Sequence, residues 1–314
     1  MPATRKHPPL PTRHGVSASR VALTAGTWHT VFDFLCDRFP AVSAPEWRAR
    51  FDEGLVLDAQ GVPLLVTQPY TPHTLLHYYR RVPSEPELPF KAKVLFHDAH
   101  LVVADKPHFM PVTPAGRYVR SSLLVQLKEQ LGIDTLSPLH RIDRETAGLV
   151  LFSVVPHERD AYQALFRERR VHKLYQAVAP VRHDLTLPLT YRSRLESSAQ
   201  FFRSHEVPGE PNSETTVRLL KTESIDAKEN GLYQLEPVTG QRHQLRIHMN
   251  ALGLPIEGDQ FYPQVLRGPD ETEDFKRPLQ LLAQAVAFTD PLTGEHRCFE
   301  SRLQLSMRAH PQNT

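Results

Sequence analysis

Apolar and polar positions alternate in short runs along most of this chain, and helical periodicity is confined to a few stretches. Val31, Phe32, Phe34 and Leu35 recur on one helical face. Ser43 is placed to cap a second helix carrying Trp47, Arg48, Arg50 and Phe51 before Gly54 stops it. Val56 with Leu57, and Leu64 to Val66, predict two short strands on either side of a turn at Gly61 to Pro63. Further on, strand-like runs fall at Val94 to Phe96, Leu101 to Ala104, Leu149 to Val155, Thr215 to Leu220 and Leu232 to Pro237. Two helices interrupt them. One is capped by Ser121 or Ser122 and ends at Gly132; the other runs from Glu158 to Arg170 with Tyr162, Leu165 and Phe166 inward. The pattern predicts an α+β protein, with a mixed, largely antiparallel sheet and few helices behind a small N-terminal α/β accessory domain.

Composition divides the chain at the same places. The Pro-rich start has Arg5, Lys6, Arg13 and Arg20 but no acidic residue before Asp33, so residues 1–26 read as a basic, mobile arm. Residues 27–82 form the accessory module, residues 83–89, with three prolines, a stiff linker, and residues 90–314 the large domain. Segments 207–212 and 268–274 are polar, acidic or Pro-rich and read as insertions. The formal net charge is only +2, which excludes a polybasic nucleic-acid coat and confines any polyanion binding to local patches. Cys36 and Cys298 are the only cysteines, which gives no disulfide framework and fits a reducing cytosol. No apolar run approaches the roughly 18 residues that span a bilayer, and the start lacks the apolar core of a signal peptide.

The densest chemistry lies in His140-Arg141-Ile142-Asp143-Arg144-Glu145-Thr146-Ala147-Gly148, just before the run Leu149 to Val155. A carboxylate between two guanidinium groups favours its anionic form if the side chains converge, and the arginines can also grip phosphate oxygens. An ordinary surface ion-pair network would show the same letters. Downstream stand Lys173-Leu174-Tyr175-Gln176-Ala177, then Thr239-Gly240-Gln241-Arg242-His243-Gln244-Leu245-Arg246-Ile247-His248, then Gly258-Asp259; upstream stands Asp105-Lys106-Pro107. In that order and spacing these segments resemble the RluA-type pseudouridine synthases, over about residues 90–305. Two departures stand out: Phe109 replaces a glycine usual after Lys-Pro, and the basic residue of the Thr-Gly-Arg segment falls one position later, at Arg242.

The resemblance implies isomerisation of uridine to pseudouridine in structured RNA, with ribosomal RNA ahead of transfer RNA, and requires neither metal nor other cofactor. It implies Asp143 as the reacting carboxylate, Arg246 as its cationic partner and Tyr175 as the aromatic platform for the uracil. Arg141, Arg144, Lys173, Arg242, Arg167 and Arg170 are the expected RNA contacts. Arg242 and Arg246 should lie one turn apart on one helix side. The module at 27–82 resembles an alpha-L RNA-binding module, and a cytoplasmic monomer without an obligatory protein partner is expected. His243 and His248, five apart, lack the spacing of a helical zinc pair. Asp259 looks like a structural turn residue. Two other classes compete: an inactive RNA-binding or chaperone paralogue, and a glycoside hydrolase using Asp143 and Glu145 as its acid pair.

Overall fold

A computed structural model describes residues 10–13, 15–80, 85–198, 203–225, 228–268, 271 and 274–307. Arg5, Lys6, the first two linker residues Pro83 and Ser84, and most of the 268–274 insertion therefore lie outside the described residues. The chain separates into two compact units, residues 1–87 with 114–134, and residues 88–113 with 135–314.

The first unit holds β1 (Ser19–Ala22), α1 (Val31–Arg38), α2 (Ala44–Asp52), β2 (Val56–Leu57), β3 (Leu75–Tyr78) and, from the later segment, α3 (Leu123–Leu131). Thr30 and Ser43 open α1 and α2 as reciprocal capping boxes with Asp33 and Glu46. Such a cap contributes about 1 kcal/mol. Their inner faces enclose Phe34, Leu35 and Trp47. Two expectations change here. Leu64 to Val66 form no strand: the turn, tied by the Asp58 carboxylate accepting from the Gln60 and Val62 amides, returns to β2 only at one bridge, Leu57 with Pro63, where the Leu64 amide donates to the Val56 carbonyl, and the strand partner of β2 is β3. The supposedly free basic arm ends in β1, which pairs with β3 from Ser19↔Tyr78 to Ala22↔Leu75, with Val16 and Leu23 buried.

The second unit is built on a sheet of eleven strands: β4 (Lys93–His97), β5 (Leu101–Lys106), β6 (Ser137–Pro138), β7 (Ala147–Ser153), β8 (His172–Pro180), β9 (Leu189–Ser197), β10 (Ser204–Val207), β11 (Ser213–Ile225), β12 (Lys228–Pro237), β13 (Leu281–Thr289) and β14 (His296–Glu300). Its main order is β10-β9-β11-β12-β8-β13-β7-β5-β4, with β14 on β13 and β6 on β7. Among the described residues its strand pairs are antiparallel except β13 with β7, joined at Leu282↔Ala147 and Ala283↔Gly148. The mixed, largely antiparallel α+β expectation is met. Helices α4 (Arg159–Arg167) and α5 (Gln244–Ala251) accompany the sheet. One apolar cluster packs Tyr162 and Leu165 of α4 with Leu149, Leu151 and Phe288; another joins Leu245 and Met249 of α5 to Ala177, Tyr233 and Leu281.

Candidate active site

Three separate stretches of chain converge where β7 begins. The loop 140–146 leads into β7, and the parallel pairing of Gly148 with β13 fixes where that loop ends. Gly148 has φ +111°, and a Cβ there would lie 2.3 Å from the Ala283 carbonyl oxygen, so only glycine lets the two strands meet. His140 braces the loop from within: its Nε2 accepts from the Leu151 amide at 3.2 Å, and its ring stacks on Phe166 at 4.8 Å. Burial, with the charge of Lys173, pushes its pKa down to about 3, so it is neutral.

The segment before α5 is tied to β11 by side chains. Thr239 donates to Gln244 Oε1 at 2.7 Å and accepts from the Glu214 amide, while Gln244 Nε2 donates to the Glu214 carbonyl and to Thr215. This fixes the start of the helix, and Arg246 follows half a turn later. Arg246 is 1% exposed. Its Nε and Nη2 donate to Asp259 at 2.8 and 2.6 Å, and its guanidinium carbon lies 5.0 Å from the Phe261 ring centre and 5.5 Å from that of Tyr262. Asp259 also accepts from the Phe261 and Tyr262 amides. So held, Arg246 directs Nη1 at two carboxylates, 3.6 Å from Asp143 Oδ2 and 3.6 Å from Glu145 Oε2. That nitrogen has no hydrogen-bond partner among the described residues. Burial opposes the charge of Arg246, but Asp259, Glu145 and Asp143 outweigh it and raise the pKa.

Asp143 is one-quarter exposed at its side chain. It lines an open cleft of about 500 Å³ together with Arg141, Lys173, Tyr175, His243 and Arg246. Tyr175 stands on β8 opposite Ala283 and Leu235; burial and the charge of Asp143 raise its pKa. Lys173 Nζ donates to the Thr239 carbonyl at 2.9 Å, and burial plus Arg169 lower its pKa to about 8. Arg141 is exposed at the cleft wall. Arg144 turns inward, donating to Glu145 from Nε at 3.0 Å and Nη2 at 2.8 Å. Arg242 is exposed but precedes α5, which starts at Gln244 behind a left-handed His243 at φ +57°. The expected one-turn spacing of Arg242 and Arg246 on a common helix is therefore wrong. Arg167 and Arg170 lie outside the cleft lining, paired at the surface with Asp160 at 3.0 Å and Glu168 at 2.8 Å.

Lys106 and Glu145 join the charge network though the motif reading gave neither a catalytic or RNA-binding role. Lys106, buried, donates to the carbonyls of Pro107 and Arg144 at 3.0 Å each. Burial lowers its pKa to about 7, opposed by Glu145 and Asp143 and aided by Arg144. Burial alone would raise Glu145, but Arg246 and Arg144 hold it down at about 2. Glu145 is engaged by Arg144 and Arg246 and, unlike Asp143, is not among the residues that line the cleft, so the hydrolase pairing of the two carboxyls gains no support. The Lys-Pro motif and the short Asp143-to-Glu145 spacing were the available signals. The unusual loop after Lys106 carries its bulky residue in the left-handed region: Phe109 has φ +65° and packs on Phe90 at 6.1 Å and Phe275 at 5.2 Å. His108 beside it lies 2.8 Å from the Glu145 carbonyl oxygen through Nδ1, which links this loop to the motif loop.

Comparison with known proteins bears on the same segments. The family model described as RNA pseudouridylate synthase matches residues 100–251. A protein named dual-specificity RNA pseudouridine synthase RluA, from Pasteurella multocida, is 31% identical over 234 residues, which are 70% of this chain and 94% of that one. The chain belongs to the RluA-type pseudouridine synthase family. An uncharacterized RNA pseudouridine synthase from Synechocystis is 29% identical over 242 residues, 74% of this chain and 79% of its own. The solved structure of human RNA Pseudouridylate Synthase Domain Containing 1 has the same fold, with TM-score 0.57 at 22% identity over 72% of this chain and 90% of that one. This synthase is thus an isomerase that acts on RNA, and the alternative of a paralogue without turnover gains no support. No helix among its described residues is long and apolar enough to cross a membrane.

Proposed function

We propose that Asp143 is the reacting carboxylate, Arg246 its orienting cation, and Tyr175 the platform for a uracil turned out of its stack. The observation that carries this reading is the placement of Arg246 Nη1, 3.6 Å from Asp143, by a guanidinium whose other edge is locked to Asp259. A carboxylate so held faces the sugar without having to reorganise as the bond from carbon 1′ to nitrogen 1 breaks. Tyr175 offers a ring face, and its raised pKa keeps the hydroxyl protonated. Arg141, Arg242 and Lys173 are placed at or beside the cleft to meet phosphate or base edges, and Arg144 supports the loop through Glu145.

The substrate in this reading is a uridine in structured RNA, ribosomal RNA ahead of transfer RNA. A relative named as dual-specificity makes both classes part of the test. We also place the enzyme in the cytoplasm as a monomer; its thiols, Cys36 and Cys298, are free. Cellular RNA labelled with tritium at uracil carbon 5 should release label with the wild-type enzyme. Asp143→Asn should reduce release by at least about 10³-fold. Multiple turnover by that variant would remove Asp143 from the role.

A further inference from the structure

His243 is a buried titratable group at the cleft wall with no share in the scheme of Asp143, Arg246 and Tyr175. Its ring, in a residue only 7% exposed, lies between Phe261, stacked at 6.0 Å and 23°, and Tyr262, edge-on at 5.7 Å and 87°. Nδ1 is 2.9 Å from the Tyr262 hydroxyl, and Nε2 is 3.9 Å from Asp143 Oδ1.

The partners of Tyr262 decide which ring nitrogen carries hydrogen. Its hydroxyl oxygen lies 2.9 Å from the Ser204 carbonyl oxygen, and the only hydrogen available between two such oxygens is the phenolic one. The same oxygen accepts from the Ser204 amide at 3.1 Å. Nδ1 must therefore donate to Tyr262, which leaves Nε2 with a bare lone pair toward the cleft. Burial keeps the ring neutral; Asp143 and Glu145 pull its pKa upward, Arg246 and Arg242 push it down, and the net shift is downward. The other cleft groups are poorer bases: the Tyr175 hydroxyl holds its proton, Lys173 donates to Thr239, and Asp143 faces Arg246.

The isomerisation has one proton to move after the new bond forms. Once carbon 1′ is joined to uracil carbon 5, that carbon still bears its hydrogen and the ring has a double bond between nitrogen 1 and carbon 6. When a base removes the hydrogen as a proton, the carbon–hydrogen pair becomes the bond between carbons 5 and 6. The displaced pair moves to nitrogen 1, which takes a proton, so none is gained or lost overall.

We propose that His243 Nε2 accepts the proton from uracil carbon 5, with Tyr262 setting the tautomer and Asp143 stabilising the imidazolium that forms. This rests on the isomerase reading and extends it by a second catalytic residue. The test is single-turnover reaction of RNA bearing hydrogen or deuterium at carbon 5 of the target uridine. His243→Gln should bind RNA as the wild type does, lose the carbon 5 hydrogen roughly 10²-fold more slowly, and show a larger isotope effect than the wild type. Tyr262→Phe, which frees the tautomer, should slow the same step by a smaller factor. With the wild type alone, the isotope effect should grow as pH falls from the ordinary imidazole value of about 6.5 to the acid limit of the folded enzyme and the ring takes up a proton. A His243→Gln enzyme with wild-type rate, or slowed without a larger isotope effect, overturns the proposal. If that variant does not fold, a flat wild-type isotope effect over this range overturns it equally. Wild-type enzyme that releases no label from any RNA overturns the isomerase reading as well, whereas release with an indifferent His243→Gln overturns only the second catalytic residue.

Discussion

Arg246 and the Arg167/Arg170 pair show how differently one residue type acts in two regions of the same unit. Arg246 is buried, locked on one edge by Asp259 and facing Asp143 and Glu145 on the other. Arg167 and Arg170 stand in water at and just beyond the end of α4, each with a single exposed carboxylate. In the interior, desolvation makes every unpaired charge costly, so the network around Arg246 must stay complete. At the surface, water and salt screen the pairs, so they contribute little and remain available to exchange a carboxylate for a phosphate. Position, not charge count, separates the group that orients chemistry from groups that at most adjust affinity.

The largest effect should follow from breaking the interior network. Arg246→Met leaves the buried Asp259 without its cation and Glu145 with Arg144 alone, and should cost about 3–5 kcal/mol in denaturant unfolding, besides abolishing label release. A loss below about 1 kcal/mol would show that the buried carboxylates find other partners. Acid gives the next effect. Glu145 is held at about 2, below its ordinary 4.5, so its contribution is full above the ordinary value and drains away as pH falls toward 2. That amounts to at most about 3 kcal/mol by linkage. Unfolding titrations of wild type and Glu145→Gln should converge at the acid end and separate above about pH 5; parallel curves would remove Glu145 from the network's energetics. The smallest effect belongs to the surface. Arg167→Ala with Arg170→Ala should change stability by less than about 0.5 kcal/mol, while lowering the slope of log affinity for RNA against log salt by about one to two. An unchanged slope would show that these arginines stay with Asp160 and Glu168.

Local signals read well where local physics decides. The Ser43 capping box, the stop at Gly132 and the buried faces of α2 and α4 follow from contacts within a few residues, and the chain shows them directly. Reading failed where a distant segment decides. Leu64 to Val66 looked as strand-like as Val56 and Leu57, but the partner of β2 is β3, about twenty residues on, and Ser19–Ala22, which carried no strand signal against its basic surroundings, closes that small sheet. Arg242 failed for a subtler reason. Periodicity placed it on α5, while the left-handed His243 starts the helix only at Gln244.

The amino-acid order alone determined the family, the α+β class and, of the expected site residues, Asp143, Arg141, Lys173, Tyr175 and Arg246 as lining one cleft, because motif spacing and short-range periodicity are written in consecutive positions. Only the folded chain decided that Asp259 holds Arg246, that Arg144 supports rather than faces the cleft, and that His243 points a bare nitrogen beside Asp143. Residues 143, 246 and 259 are far apart in sequence, and no local pattern reports an ion pair. Its geometry comes from the closure of β13 on β7 and the seating of α5 on β11, and the low dielectric of that interior turns proximity into function.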